Sequence, residues 1–277
     1  MGEHQFTERM KLSATLASEL NQESPVIMAG DPAEKISKVS RLGYRAIELH
    51  WADPAKIPLS EILAACEKNN MEISAFATGK AYVQEGLCLI HDDENIKVAT
   101  IQRLLRFVDT ASRCGAIVII GCIRGNLPAG KPQAPYLQRL AQSVRLVAEY
   151  AEERNVGIVL EAINRYENNY LNTARETGCF IRENGLPNTK ILLDSFHMNI
   201  EETSLPEAII SFGDQLGYIH IADSNRQYAG AGHIDFKEVA SALNTINYQG
   251  YISAECLPLP DSDTALVNWI KGVTEVF

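Results

Sequence analysis

Short aliphatic runs recur along the chain, each followed by a longer stretch in which apolar residues return every three or four positions. The short runs predict strands near 10–17 (MKLSATLA), 44–51 (YRAIELHW), 72–78 (EISAFAT), 116–121 (AIVIIG), 156–163 (VGIVLEAI), 190–194 (KILLD), 217–222 (GYIHIA) and 250–256 (GYISAEC). Several are apolar throughout, as expected of parallel strands covered on both faces. Helical periodicity falls between them, near 31–42, 58–69, 94–114, 134–154, 172–184, 204–214, 235–246 and 263–276. In the stretch from 134, Leu137, Leu140, Val144, Val147 and Ala148 share one stripe. Gly43, Gly115 and Gly250 stand between helix and strand, where a left-handed turn is often required. SLPE (204–207) and DFKE (235–238) read as helix starts, a capping residue followed three later by glutamate.

Eight strands alternating with eight helices, without linker or internal repeat, predict an α/β fold: a single closed (β/α)8 TIM barrel over residues 10–277. Residues 1–9 are polar and are expected to form a flexible tail. An open doubly wound sheet is the competing architecture. No GxGxxG or P-loop follows any strand, which weakens its nucleotide-binding version.

The 277 residues suffice for one such barrel, which runs to roughly 250 residues. A formal net charge of -10 opposes attraction to a phosphate backbone, so no nucleic-acid partner is expected. No apolar run reaches the roughly 20 residues needed to span a bilayer and no signal peptide is apparent, so a cytoplasmic location away from membranes is expected. Cys66, Cys88, Cys114, Cys122, Cys179 and Cys256 are scattered without a CxxC pair. That spacing points to reduced thiols rather than a disulfide frame or zinc site.

Candidate chemistry gathers where the last four strands end. The fifth strand ends in Glu161 with Glu167 just beyond, and the sixth in Asp194 with His197 three residues on. The seventh carries His220, with Arg226 in the next loop, and the eighth ends at Glu255. In a closed barrel these ends lie side by side on the rim where barrel enzymes place their chemistry. Three carboxylates and an imidazole suit a divalent cation bound mainly through oxygen, such as Mn²⁺, Co²⁺ or Mg²⁺. Without one, the carboxylates would repel and at least one would take up a proton. Each residue alone has a plainer reading: a cap, a surface ion pair, or a hydrogen-bonded core histidine. Four successive strands ending this way shift the balance towards a site. His50 and Trp51 either wall a pocket or pack against the adjacent loop, and Arg124 pairs either with a substrate carboxylate or with an acidic side chain. His233 is expected to shape the loop after the seventh strand, while Phe196 and Met198 are expected to pack.

The segments LEAINRYENNYLNT, LLDSFHMNIEE, HIADSNRQYAGAGHIDF and YISAECLPLP resemble the signature segments of the ketose 3-epimerases, a branch of the xylose-isomerase-like barrels. Similarity extends upstream through ATGKAYVQEGLCLIHDDE and AIVIIGCIRG. The resemblance implies that Glu161, Asp194, His220 and Glu255 ligate one divalent metal, commonly manganese, and that Glu161 and Glu255 double as the acid/base pair. It places Glu167, His197 and Arg226 around substrate oxygens O1 to O3. It also implies a small sugar as substrate and assembly as a homodimer or homotetramer. GCIRG, with Arg124, looks closer to relatives acting on keto-sugar acids such as 5-keto-gluconate.

Inverting a carbinol carbon beside a ketone requires removing a proton from one face and returning one to the other, through a cis-enediolate. Two bases are needed, and Glu161 and Glu255 fit those roles. Aldose–ketose isomerisation of the hydroxypyruvate isomerase type passes through a similar species and is the nearest competing activity. Endonuclease IV-like DNA repair is remote, because its trinuclear site takes many more histidines than the six here. A non-catalytic sugar-binding barrel is the third alternative.

Overall fold

In the computed structural model of the chain, residues 11–20 and 24–277 are described. The expected tail, 1–9, lies outside the described residues. Eight parallel strands close into a ring: β1 (Lys11–Ala17), β2 (Ala46–His50), β3 (Glu72–Ala77), β4 (Ile117–Ile120), β5 (Ile158–Glu161), β6 (Thr189–Asp194), β7 (Leu216–His220) and β8 (Tyr251–Ala254). Pairing of Lys11 with Tyr251 through Ala14 with Ala254 closes it. The Thr15 hydroxyl adds a bond to the Ala254 carbonyl at 2.9 Å. A two-residue strand, Met28–Ala29, extends the ladder beside β1. The fold is the predicted (β/α)8 TIM barrel.

All eight predicted strands and all eight predicted helices are present, with ends displaced by a few residues. In chain order the helices are α1 (Pro32–Leu42), α2 (Leu59–Asn69), α3 (Gly79–Glu85), α4 (Glu94–Ser112), α5 (Ala134–Glu152), α6 (Ala174–Glu183), α7 (Ser195–Glu201), α8 (Leu205–Ser211), α9 (Phe236–Thr245) and α10 (Ser262–Thr274). The short helices α3 and α7 were not expected. At seven residues each they are too brief for a helical period to show, and unlike the equally short α8 neither has a glutamate three residues after its cap. Both follow strands directly, and both border the site.

Strand parity divides the core. Ile47 and Leu49, Ile158 and Leu160, Ile191 and Leu193 face the helices and join the large outer cluster. Residues of the other parity, Ala75, Ala77, Ile119, Val159, Leu192 and Tyr218, fill the ring as a second cluster. Glu161, Asp194 and His220 continue that inward parity one step beyond Val159, Leu192 and Tyr218. A period of two thus carries the same strands from an apolar interior to a polar rim.

The predicted starts at SLPE and DFKE hold: Ser204 accepts from the Glu207 N–H, and Asp235 from the Lys237 and Glu238 N–H groups. On α5, Leu140, Val144, Val147 and Ala148 are buried, with Leu137 partly so. Gly43 and Gly115 are left-handed as expected, but Gly250 is not; before β8 that conformation is taken by Asn247. Glycine at 250 instead makes room for the Tyr248 ring, which a Cβ would strike. The six cysteines are free thiols.

Candidate active site and metal centre

β6 ends at Asp194, which does two jobs. One carboxylate oxygen accepts from the Phe196 N–H at 2.8 Å and starts α7, while the other faces the rim. Its backbone neighbour across the ladder is His220 on β7. Glu161 ends β5, and Glu255 lies one residue past β8. One ligand atom from each of Glu161, Asp194, His220 and Glu255 falls within 4.8 Å of the others. The four are 7 %, 0 %, 1 % and 9 % exposed, so water does little to offset their charge.

The electrostatics are those of a crowded anion cluster. Burial and then Glu255 push Glu161 up to about 8. Burial raises Asp194 to about 6 despite Arg226 beside it. For Glu255, the penalty of burial is outweighed by His220 and Arg226, which hold it well below the usual carboxylate range. For His220, burial is outweighed by Glu255 and Glu48, which raise it well above the usual histidine value. His220 Nδ1 is buried without a hydrogen-bond partner, 3.1 Å from Glu255 Oε2 and 3.9 Å from Asp194 Oδ2. Three converging carboxylates and an orphaned ring nitrogen fit a divalent cation of the Mn²⁺, Co²⁺ or Mg²⁺ kind.

A cavity of about 620 Å³ opens above these groups, lined by Glu161, Glu167, His197, Arg226, Glu255 and His50 among others. Arg226 bridges Asp194 and Glu255, the latter at 2.6 Å, and its guanidinium lies 4.8 Å from the centre of the Phe196 ring. Phe196 therefore packs, as expected, with the Arg226 guanidinium against its ring. Arg226 has a left-handed backbone, φ 62°, unusual for this residue and typical of strain kept at a working site. The buried Asp223 carboxylate holds that loop by accepting from the Ser224, Gly230 and Ile234 N–H groups. His233 bonds Ser224 at 2.9 Å and shapes the same loop.

His197 sits on α7, not in a loop, because Asp194 caps a helix there. Asn164 sets its tautomer. The Tyr166 N–H donates to Asn164 Oδ1, so the amide nitrogen faces Glu167 at 2.9 Å and His197 Nδ1 at 2.7 Å. His197 then carries its proton on Nε2, 3.6 Å from Glu161. Burial keeps its pKa well below the ordinary value, so the ring is a neutral donor.

Arg124 is placed elsewhere. It is fully buried and donates to the backbone carbonyls of Glu161, Tyr170 and Leu171 and to Asn168. Its fork ties the end of β4 to the loop after β5, so the expected pairing with a substrate or an acidic side chain gives way to a structural role. His50 lines the cavity, whereas Trp51 belongs to the outer core. Cys122 also lines it, but burial, with Glu161 adding to it, pushes its thiol up to about 12, so it is no nucleophile. Gly121 leaves room for Glu161: a Cβ there would strike Glu161 Oε2 and displace its carboxylate.

Sequence reasoning missed Glu48, Asn164 and Lys80. Glu48 had a signal: a glutamate inside the apolar run AIELHW, two residues before His50 and so on the same face. Lys80 lines the cavity from α3, which was not expected. Asn164 lay within a quoted motif without a role.

Fold and rim together define a (β/α)8 barrel whose candidate metal-binding cluster comes from the ends of the last four strands. The family model described as xylose isomerase-like TIM barrel matches residues 36–272. The chain is similar to L-ribulose 3-epimerase of Methylomonas sp. (strain DH-1), 32% identical over 250 residues, covering 87% of this chain and 83% of that one. It is also similar to D-psicose 3-epimerase of Agrobacterium fabrum, 30% identical over 227 residues, covering 79% and 77%. D-allulose 3-epimerase from Methylomonas sp., solved in complex with D-allulose, superposes with a TM-score of 0.81 at 24% identity, covering 97% and 98%. The chain belongs to the xylose isomerase-like barrel family and, within it, to the ketose 3-epimerases. It is a carbohydrate epimerase, an isomerase acting on sugars. No helix among the described residues is long and apolar enough to cross a membrane.

Proposed function

We propose that this epimerase inverts C3 of a free ketose by two-base proton transfer, with Glu161, Asp194, His220 and Glu255 holding one divalent cation, manganese before cobalt or magnesium. The observation that carries the reading is the convergence of three buried carboxylates on the partnerless His220 Nδ1. A cation bound there supplies Lewis-acid stabilisation for the negative charge developing on the substrate's carbonyl oxygen.

Glu161 and Glu255 stand on β5 and β8, with two strands between them on the rim, so they approach a bound sugar from different sides. One takes the C3 proton while the other, protonated, delivers its own to the opposite face; the cis-enediolate lies between these transfers. Proton exchange with solvent then returns both carboxyl groups to their starting states. The neutral His197 Nε2–H and the Arg226 guanidinium donate to substrate oxygens at the start of the sugar, and Glu167 accepts from a hydroxyl there. Donors fixed in this way contribute roughly 3 kcal/mol each. Asn164 and Phe196 hold those donors in place.

The keto-sugar-acid reading leaned on Arg124, whose donors are already spent on carbonyls and Asn168. That leaves free ketoses as the better-supported substrates. The proposed assembly is a homodimer or homotetramer, readable by light scattering.

Turnover of ketohexoses and ketopentoses with added Mn²⁺ in deuterated water tests the proposal. The expected product is the C3 epimer with deuterium at C3. Glu161→Gln and Glu255→Gln are each expected to lose about 10²- to 10⁴-fold in kcat. Full turnover by both variants would remove the two-base assignment. A product whose carbonyl has moved to C1 would replace epimerisation with aldose–ketose isomerisation.

A further inference from the structure

We propose that Glu48 is a positioning residue for the metal centre: its carboxylate holds the His220 ring by Nε2 so that Nδ1 alone is presented to the cation. The inference rests on the cation reading above and adds a residue that reading does not use.

Glu48 lies at the middle of β2, on the inner face of the barrel, and is fully buried. Among the described residues its charged neighbours within salt-bridge distance are two histidines, with no lysine or arginine. A buried carboxylate in such a place needs several donors, and it has them. Oε1 is 2.8 Å from His50 Nε2 and 3.2 Å from His220 Nε2. Oε2 is 3.1 Å from His220 Nε2 and 3.0 Å from the Tyr218 hydroxyl. That hydroxyl is 2.7 Å from Ser74 Oγ, itself 2.7 Å from Ser13 Oγ. β1, β2, β3 and β7 thus contribute to one polar chain below the rim that ends on the carboxylate.

The consequence for His220 is geometric. Tyr218 meets its ring edge-on, centroids 5.5 Å apart at 89°, and Glu48 anchors Nε2. Rotation is blocked on both counts. The free nitrogen, Nδ1, is the one that faces Asp194 and Glu255. A carboxylate on the far nitrogen fixes the tautomer a cation requires and makes the ligand nitrogen a better donor. Two other uses of Glu48 are weaker. Glu48, His50 and Glu255 could together face a second cation, their ligand atoms lying within 4.8 Å, but both Glu48 oxygens already accept from ring N–H groups and a phenol. A purely structural core anion would leave metal affinity untouched.

Mn²⁺ titration of the purified metal-free protein, read by calorimetry, tests this with the metal alone as probe. Glu48→Gln keeps the shape and removes the charge. The expected result is roughly 10- to 100-fold weaker Mn²⁺ binding, with kcat recovering at saturating Mn²⁺. Tyr218→Phe, which removes one donor to Glu48 and leaves His220 intact, is expected to weaken Mn²⁺ binding a few-fold. It serves if Glu48→Gln does not fold. Wild-type affinity in folded Glu48→Gln, or in Tyr218→Phe where that is the only folded variant, overturns the inference. Absence of Mn²⁺ binding by the wild-type chain would instead overturn the cation reading itself.

Discussion

The two halves of the barrel rim differ in kind. β5 to β8 end in Glu161, Asp194, His220 and, one residue on, Glu255, every one a metal-ligating type. β1 to β4 end in Ala17, His50, Ala77 and Ile120, and this side lines the cavity with Ala77, Thr78, Gly79, Ile119 and Gly121. One half gathers the candidate ligands, and the other mostly leaves room, with His50 and Lys80 as its polar lining. The first half also carries the strained Arg226 and a loop folded around the buried Asp223, whereas the second offers small side chains and the short helix α3. On the proposed mechanism the difference separates chemistry from selection: damage to the ligand half is expected to remove the reaction, and changes to the wall half to alter which sugar fits.

The sharpest break of that contrast is His220→Ala. It removes the orphaned ring nitrogen and leaves Glu48 buried without one of its donors. Activity is expected to fall by more than about 10³-fold, and Mn²⁺ binding with it, in assays run beside calorimetry. Wild-type turnover by a folded variant would show that the four strand ends do not act together.

Arg226→Met comes next. Loss of the bridge between Asp194 and Glu255 and of a donor to substrate is expected to lower kcat by about 10²- to 10³-fold. An effect confined to KM would make Arg226 a binding group only.

Metal removal is expected to act on stability with a definite sign in pH. Glu161 is pushed up to about 8 and His220 is raised, so in the folded, metal-free chain both keep protons that the unfolded chain has released. Stability is therefore lost as pH rises from 6.5 to 8. Tm of the metal-free protein is expected to drop by roughly 4–10 °C over that range. Saturating Mn²⁺, whose ligands are already deprotonated, is expected to flatten the slope and raise Tm at pH 8. A metal-free Tm that rises between pH 6.5 and 8 would contradict the crowding of anions at the rim.

The smallest effect is expected on the wall half. Lys80→Ala removes a half-buried amine that lines the cavity from α3, and burial already lowers its pKa. KM is expected to change by less than about tenfold, with kcat for the best ketose within a few-fold of wild type. A loss of kcat as large as that of Arg226→Met would erase the distinction between the halves.

Much of this was legible in the sequence, for physical reasons that also mark its limits. Parallel strands covered on both faces announce themselves as apolar runs, so β4 and β6 stand out, and the polar residue ending each run betrays the rim. Asp194 and His220 were therefore visible together although 26 positions apart in the chain. Arg124 was not legible as structural, because a guanidinium at a strand end reads the same whether its fork meets a substrate or three backbone carbonyls. The helices α3 and α7 hid because seven residues hold too few turns to show a period and neither opens on the cap-plus-glutamate pattern that revealed the equally short α8. Glu48 was overlooked because it sits within the strand rather than at its end, where only the closed ring brings it under His220. Gly250 misled for a related reason: a glycine in front of a strand signals either a left-handed turn or a close approach, and the Tyr248 ring decides which.

Anomalous diffraction from crystals soaked in Mn²⁺ puts the central claim to its most direct test. The expected result is one strong peak per chain within coordination distance, about 2.0–2.3 Å, of Glu161, Asp194, His220 Nδ1 and Glu255. A peak bound by other residues, or none at the rim while the four side chains remain in place, would contradict it.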